Sequence, residues 1–171
     1  MEKVEIRRKV LHLVSGVVAA IGIRLGFVDL RIISILLVIA LFFSLLSKYR
    51  RFRPVEIIIE YLDREQDKKF LPGKGALCLL LGMVITLWVF DTDVAAASIM
   101  ILALGDTIAP FVGQYGKIAH PLSEDNKKLL EGTIAAIVVA SIGASYFVDP
   151  IYAILASIIA MTAEVVEIKI H

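Results

Sequence analysis

Apolar residues fall in six runs, residues 10–27, 32–47, 75–90, 94–112, 132–148 and 151–168, separated by short polar stretches or by longer charged loops. Several runs sit at the low end of the roughly 17 to 25 residues that a membrane-crossing helix uses. Flanking residues or a locally thin bilayer make up the difference. The pattern predicts an all-α integral membrane protein of about six transmembrane helices, with residues 1–171 forming one membrane-embedded domain. In the loop between the second and third spans, residues 54–67 place Val55, Ile58, Ile59 and Leu62 at helical spacing, with Glu56, Glu60, Asp63 and Asp67 largely opposite. That spacing predicts an amphipathic helix lying in the membrane interface.

Composition supports the same solvent: 58% of residues are hydrophobic and the mean hydropathy is +0.84. A net charge of +1 gives no footprint for nucleic acid, so none is expected as a partner. Position matters more than the total. Of 18 Lys and Arg residues, 16 lie before the first run, within residues 48–74, within residues 113–131 or at Lys169, and only Arg24 and Arg31 fall on the other side. The positive-inside rule then puts both termini and the long loops in the cytosol. So compact a chain suits a multi-pass protein of a prokaryotic cell membrane, and a homo-oligomer is compatible with it. The single cysteine, Cys78, excludes an intrachain disulfide and any Cys-rich metal site.

Gly132, Ala136, Ala140 and Ala144 recur every four residues, and Ala156 and Ala160 stand in line with Glu164. Small residues at that interval let helices pack closely. Pro72-Gly73-Lys74-Gly75 lacks the Walker spacing and reads as a turn into the membrane.

The unusual polar residues gather at the cytosolic ends of the runs. Lys9 and His12 stand where the first begins, Asp106 in the inner half of the fourth, Glu131 at the start of the fifth, and Glu164 and Glu167 at the end of the sixth. An ionisable residue inside an apolar helix is costly and marks a functional site. A relay across the bilayer would spread such groups through its depth, so a cluster at one face points to chemistry at one surface.

The densest stretch, residues 104–133, combines Gly105, Asp106, Gly113, Gly116 and Lys117 with Lys127, Lys128, Glu131, Gly132 and Thr133. Glycines allow a backbone to approach a ligand, lysines offer charge to phosphate, and acids suit a divalent metal or a base. Phosphoryl transfer to a lipid alcohol needs such a set, because its transition state spreads negative charge over the equatorial oxygens. Asp106 and Glu131 are the expected metal-facing acids, with Glu164 a further candidate. Asp106 alternatively takes the hydroxyl proton. Lys128 stands three residues before Glu131, so a helix that began this early would put both on one face.

Three blocks resemble the CTP-dependent polyprenol kinase family, which includes dolichol kinase, phytol kinase and the CTP-using diacylglycerol kinase. RRKVLH resembles its Arg-Lys-x-x-His with Arg8, Lys9 and His12; PGKGALCLLLG precedes the third span; and LGDTIAPFVGQYGK with KKLLEGT resembles Gly-Asp-x-x-Ala-x-x-x-Gly-x-x-Gly and Lys-x-x-Glu-Gly-Ser/Thr. Two features depart from the family pattern. Leu129 follows Lys128 where a hydroxyl residue is common, and the sequence ends at His171 where the family often continues into Asp-Asn-x-x-x-Pro. The resemblance implies a lipid kinase with CTP as donor and Mg²⁺ or another divalent cation as cofactor. It implies catalytic roles for Lys9, His12, Asp106, Lys128 and Glu131, and nucleotide contacts from Gly105, Gly113, Gly116, Lys117, Lys127, Lys128, Gly132 and Thr133. A membrane lipid alcohol of the polyprenol or dolichol type is the implied acceptor; a cytidylyltransferase making a CDP-activated lipid, or a small transporter or scaffold, is the competing reading.

Overall fold

The computed structural model describes residues 3–49, 73–121 and 128–165. These form six α-helices: α1 Lys3–Arg24, α2 Leu30–Tyr49, α3 Lys74–Val89, α4 Thr92–Gly113, α5 Leu130–Ala144 and α6 Pro150–Val165. Each apolar run thus becomes one helix, and the described residues hold no strand beyond an isolated bridge between Ala119 and Leu129. The expected interfacial helix at residues 54–67 lies outside the described residues, as do Lys127, Glu167 and His171.

Among the described residues, two helices are long and apolar enough to cross a membrane, α2 over Leu30–Ser47 and α4 over Thr92–Gly113. The helices Lys74–Val89, Leu130–Ala144 and Pro150–Val165 are apolar but shorter, at 15 or 16 residues. At 1.5 Å per residue they cover about 24 Å of a hydrocarbon core of about 30 Å.

α4 is the central helix and packs against α1, α3, α5 and α6. Its interior positions are small or slender, with Ala95, Ala96, Ala97, Ile99, Ile101 and Ala103 all buried. Close approach then becomes possible on each side. A Cβ on Gly16 of α1 would sit 2.5 Å from that of Ala103, and one on Gly132 of α5 would sit 2.9 Å from Gly113 Cα. The small-residue stripe of α5 is buried as its spacing predicts, since Ala136, Ala140 and Ala144 expose nothing.

On α6 the stripe is shifted. Ala153, Ser157, Met161 and Val165 face the bundle, while Ala156 is exposed, so the packing face does not follow the small residues. Met161 fills the space that Gly105 leaves, and this pairing of one glycine with one large side chain sets the face.

Two ion pairs fix the register of α1 on α4. Lys9 meets Asp106 at one end and Arg24 meets Asp93 at the other, each at 2.5 Å. The intervening lengths, about 22 Å of α1 and about 20 Å of α4, match only if the helices run antiparallel. The turns between helices follow ordinary capping chemistry. Gly26, at φ 75°, ends α1, with Phe27 N–H donating to the Gly22 carbonyl and Gly26 N–H to that of Ile23. Asp29 and Asp149 accept from the first-turn amides of Ile32 and Ile151 to start α2 and α6.

Candidate phosphoryl-handling site

The site begins with a proline. Pro110 lies inside α4 and has no N–H, so the carbonyl four residues earlier, that of Asp106, loses its helical donor. Lys9 replaces it: Nζ donates to the Asp106 carbonyl at 2.7 Å and to Oδ1 of the same residue at 2.5 Å. One ammonium therefore satisfies an orphaned backbone oxygen and pairs a carboxylate together. The Lys9 side chain is buried, which its own charge would forbid without those partners. Thr107, also buried, donates to the Ala103 carbonyl at 2.8 Å and approaches the Lys9 carbonyl at 3.4 Å, tying α1 to α4 one residue farther on.

His12 lies one turn beyond Lys9, with Nε2 3.8 Å from Asp106 Oδ2. That nitrogen is buried and has no hydrogen-bond partner among the described residues. A buried polar atom without a partner costs about 1 to 3 kcal/mol, so a group that meets Nε2 and Oδ2 together would be held there.

Beside this pair lies a cavity of about 770 Å³. Glu5, Arg8 and Lys9 line it from α1, Asp106, Ala109, Pro110 and Gly113 from α4, Thr133 from α5, and Met161, Glu164 and Val165 from α6. Lys128 enters from the segment before α5, and its Nζ donates to the Glu164 main-chain carbonyl. A cation at a helix C-terminus opposes the partial negative charge of the last carbonyls.

The structure therefore brings together Lys9, His12, Asp106, Lys128 and Glu164, with Gly113 and Thr133 on the wall. It separates Glu131 from them. Helix α5 starts at Leu130, after an extended Leu129 at φ −107° and ψ 141°, so Lys128 and Glu131 do not share a helical face. The Glu131 carboxylate turns instead to the loop after α4, where it accepts from the backbone N–H of Lys117 at 2.8 Å and of Ile118 at 3.2 Å. The Lys117 amide first, then Glu131's own amide and that of Ile118, hold this carboxyl below the usual glutamate range. The bridge from Ala119 to Leu129 completes the clip, with His120 N–H donating to the Lys128 carbonyl and Leu130 N–H to that of Ile118. Glu131 is thus a loop fastener that fixes where Lys128 enters.

Three of the expected nucleotide contacts change for the same kind of reason. Gly105 is buried beneath Met161, and Gly132 abuts the Ala109 carbonyl, so both serve helix packing. At Gly116 a Cβ would meet Glu131 Oε2 at 2.7 Å, which makes the glycine a requirement of the clip. The Gly116 N–H already donates to the Gly113 carbonyl and the Lys117 N–H to Glu131, so neither amide is open to phosphate. The Lys117 side chain is exposed, and Lys127 lies outside the described residues.

Glu131→Gln should therefore loosen the loop and leave the cavity largely intact. The sign of the pH dependence follows from a lowered folded-state pKa: the fastening is present above the ordinary glutamate range and is lost as the pH falls through the folded value. Amide exchange protection at Lys117 and Ile118, measured against a short peptide, should collapse over that acid range and should already be low in Glu131→Gln at neutral pH.

No family model matches the chain, and no solved structure matches it. The chain is 32% identical over 143 residues to a protein of Methanocaldococcus jannaschii named "Uncharacterized protein MJ1137", covering 81% of this chain and 70% of that one. The chain belongs to the family of that protein.

For this family member the donor set bears on a metal. Among the described residues no group of three His, Cys, Asp and Glu could hold an ion unaided. Asp106 and Glu164 do line one cavity. Mg²⁺ is ordinarily bound by one or two carboxylates with other oxygen ligands and water completing its shell, so these two acids would hold an ion only with further ligands from outside the chain. Glu131, expected as a metal ligand, is not among the cavity residues. Pro110, which residue chemistry alone passed over, and Arg8, named in the RRKVLH block, also line the cavity. For Pro110 the signal was present in the sequence: a proline four residues after an aspartate within a helix frees that aspartate's carbonyl.

Proposed function

We propose that the chain transfers the terminal phosphate of CTP to the hydroxyl of a membrane lipid alcohol, giving a lipid monophosphate and CDP. The observation that carries this reading is the cavity wall, which gathers Arg8, Lys9 and Lys128 with Glu5, Asp106 and Glu164 and the apolar Met161 and Val165. Such a mixture suits a substrate with a charged donor and a greasy acceptor. The CTP preference comes from the sequence resemblance to the polyprenol kinases.

The setting supports it. Large apolar side chains cover the outside of the bundle, among them Ile35, Val38 and Phe42 on α2 and Ile151, Leu155 and Ile159 on α6. In our reading all six helices lie in the membrane and both termini face the cytosol, following the positions of Lys and Arg. The cavity then opens to the cytosol, where nucleotide is available.

In the reaction the lipid hydroxyl oxygen forms a bond to the terminal phosphorus, the bond to the CDP oxygen breaks, and CDP leaves. The hydroxyl proton passes to the Asp106–His12 pair, whose facing atoms Oδ2 and Nε2 are the ones left without hydrogen bonds to Lys9. Arg8 and Lys128 draw the phosphates to the cavity and offset the charge that builds on the equatorial oxygens. Mg²⁺, when bound with the nucleotide, would neutralise phosphate charge next to Asp106 and Glu164.

The test uses purified protein in vesicles with labelled CTP and a polyprenol. Lipid monophosphate and CDP should form and should require a divalent cation. Pyrophosphate with a CDP-lipid would replace the kinase by a cytidylyltransferase, and no turnover with any lipid alcohol would overturn an enzymatic reading. In the same assay Lys128→Ala should lower turnover by about 100-fold, the equivalent of roughly 3 kcal/mol for one charge-stabilising contact. A loss of only a few-fold would make Lys128 a strut between α5 and α6.

A further inference from the structure

The loop that leaves α4 has a construction that neither packing nor the cavity explains. The apolar span of α4 ends at Gly113. Just beyond it Tyr115 is 80% exposed and Ile118 57%, and Gln114 and Lys117 are exposed with them. The backbone of the same loop is spent inside the protein. Gln114 N–H donates to the Pro110 carbonyl, Tyr115 N–H to that of Val112 and Gly116 N–H to that of Gly113. The Lys117 and Ile118 amides go to the Glu131 carboxylate. Five consecutive amides therefore donate within the chain while three large side chains stand outside it. A segment can enter the less polar part of a membrane surface only if its amides bring their own acceptors. In bulk water solvent would serve them, so a built-in carboxylate acceptor matters most where water is scarce.

Depth and charge point the same way. Tyr115 stands two residues past the end of the span, so no more than about 7 Å beyond it. The polar layer of a bilayer is roughly 5 to 8 Å thick on each side of the hydrocarbon. Tyrosine concentrates in that layer, and lysine there lays its stem along apolar groups while its ammonium reaches lipid phosphate. Residues 114–120 hold one lysine and no acid, which fits an anionic surface.

We propose that residues 114–118 form a docking surface for anionic phospholipid, with Tyr115 and Ile118 seated in the headgroup layer and Lys117 on lipid phosphate, and that this seating holds Lys128 in the cavity. The inference rests on the membrane placement given above, and its effect on turnover rests on the lipid-kinase reading. The link to the cavity is short. The Ile118 carbonyl accepts from Leu130 and the His120 amide donates to the Lys128 carbonyl, so the loop and the segment carrying Lys128 form one bridge. Lys128 in turn reaches the Glu164 carbonyl at the cavity wall. A loop fixed at the surface fixes the entry of that ammonium.

The test replaces the single native tryptophan, Trp88→Phe, and adds Tyr115→Trp, in full-length protein reconstituted in phosphatidylcholine vesicles with or without phosphatidylglycerol. Emission should be blue-shifted, quenched more by lipid brominated near its carbonyls than by lipid brominated at the chain ends, and quenched most with phosphatidylglycerol present. Emission as in water, untouched by either bromolipid, would overturn the docking surface and leave Tyr115 and Ile118 to a protein partner. In the parent, phosphatidylglycerol should raise turnover about fivefold, the size of effect expected from one lysine at an anionic surface, and soluble glycerol phosphate should not replace it. Lys117→Glu should bring the ratio of the two turnovers close to one, whereas Lys117→Arg should keep it. Equal turnover of the parent in the two vesicles, or activation by soluble glycerol phosphate, would overturn the anionic-lipid assignment. An unchanged ratio in Lys117→Glu with a raised KM for CTP would put that lysine on the nucleotide and overturn its lipid role. Glu131→Gln, which opens the clip, should lose the lipid dependence, and a ratio kept there would overturn the link to Lys128. Failure of the kinase reading looks different: the depth-dependent quenching and its increase with phosphatidylglycerol persist while no CDP forms in either vesicle.

Discussion

Asp106→Asn is expected to remove phosphoryl transfer, lowering turnover by at least about 100-fold, within the range for losing a general base or a charge aimed at the transition state. The amide keeps the shape of the carboxylate and can still accept from Lys9, so the helices should remain assembled. What disappears is the charge that faces His12 and the cavity. The variant also separates two roles. If Asp106 holds a metal with the nucleotide, the residual activity should need much more Mg²⁺; if it takes the hydroxyl proton, the Mg²⁺ requirement should stay where it was while the rate falls. Turnover close to that of the parent would return Asp106 to a purely structural role with Lys9. Circular dichroism and the elution volume in detergent would show that a lost rate is not a lost fold.

The elements were legible because their physics is local. Apolar runs long enough to be helices, broken at Gly26 and capped at Asp29 and Asp149, give the six helices with ends off by a few residues. α1 is the largest departure, beginning at Lys3, well before its apolar run. The basic residues ahead of the run join the helix, and this brings Lys9 within reach of α4. The fifth run was read as continuing to residue 148, whereas α5 ends at Ala144. Of the residues that their chemistry singled out, Lys9, His12, Asp106, Lys128 and Glu164 lie close together in the fold. Sequence distance hid their partners. Lys9 and Asp106 are 97 residues apart, and nothing in either segment names the other. Glu131 was misplaced because its role depends on the extended backbone at Leu129, where helical spacing ceases to apply. Gly105 and Gly132 were misplaced because a glycine meant for a ligand and one meant for a neighbouring helix look alike until the neighbour is known.

Lys9→Met should produce the largest loss of stability of any single substitution at the site. It leaves the Asp106 carboxylate without its cation and its carbonyl without a donor, since Pro110 cannot supply one. Breaking a fully buried pair from one side costs about 3 to 5 kcal/mol. Asp106 is about a third exposed, with a side-chain accessibility of 31%, and water moderates the loss. About 2 to 3 kcal/mol is then expected, read from chemical unfolding in detergent. Two second substitutions divide that loss into its parts. Asp106→Asn on the Lys9→Met background removes the unpaired charge and should recover the electrostatic share. Pro110→Ala on the same background restores an N–H to the Asp106 carbonyl and should recover about 1 kcal/mol, the usual net value of one hydrogen bond. In the parent, with Lys9 present, Pro110→Ala should give less, because the carbonyl is already satisfied. Strictly additive effects of Lys9→Met and Pro110→Ala would show that the lysine does not replace the missing helical donor, and the account of why a proline stands four residues after Asp106 would fall with it.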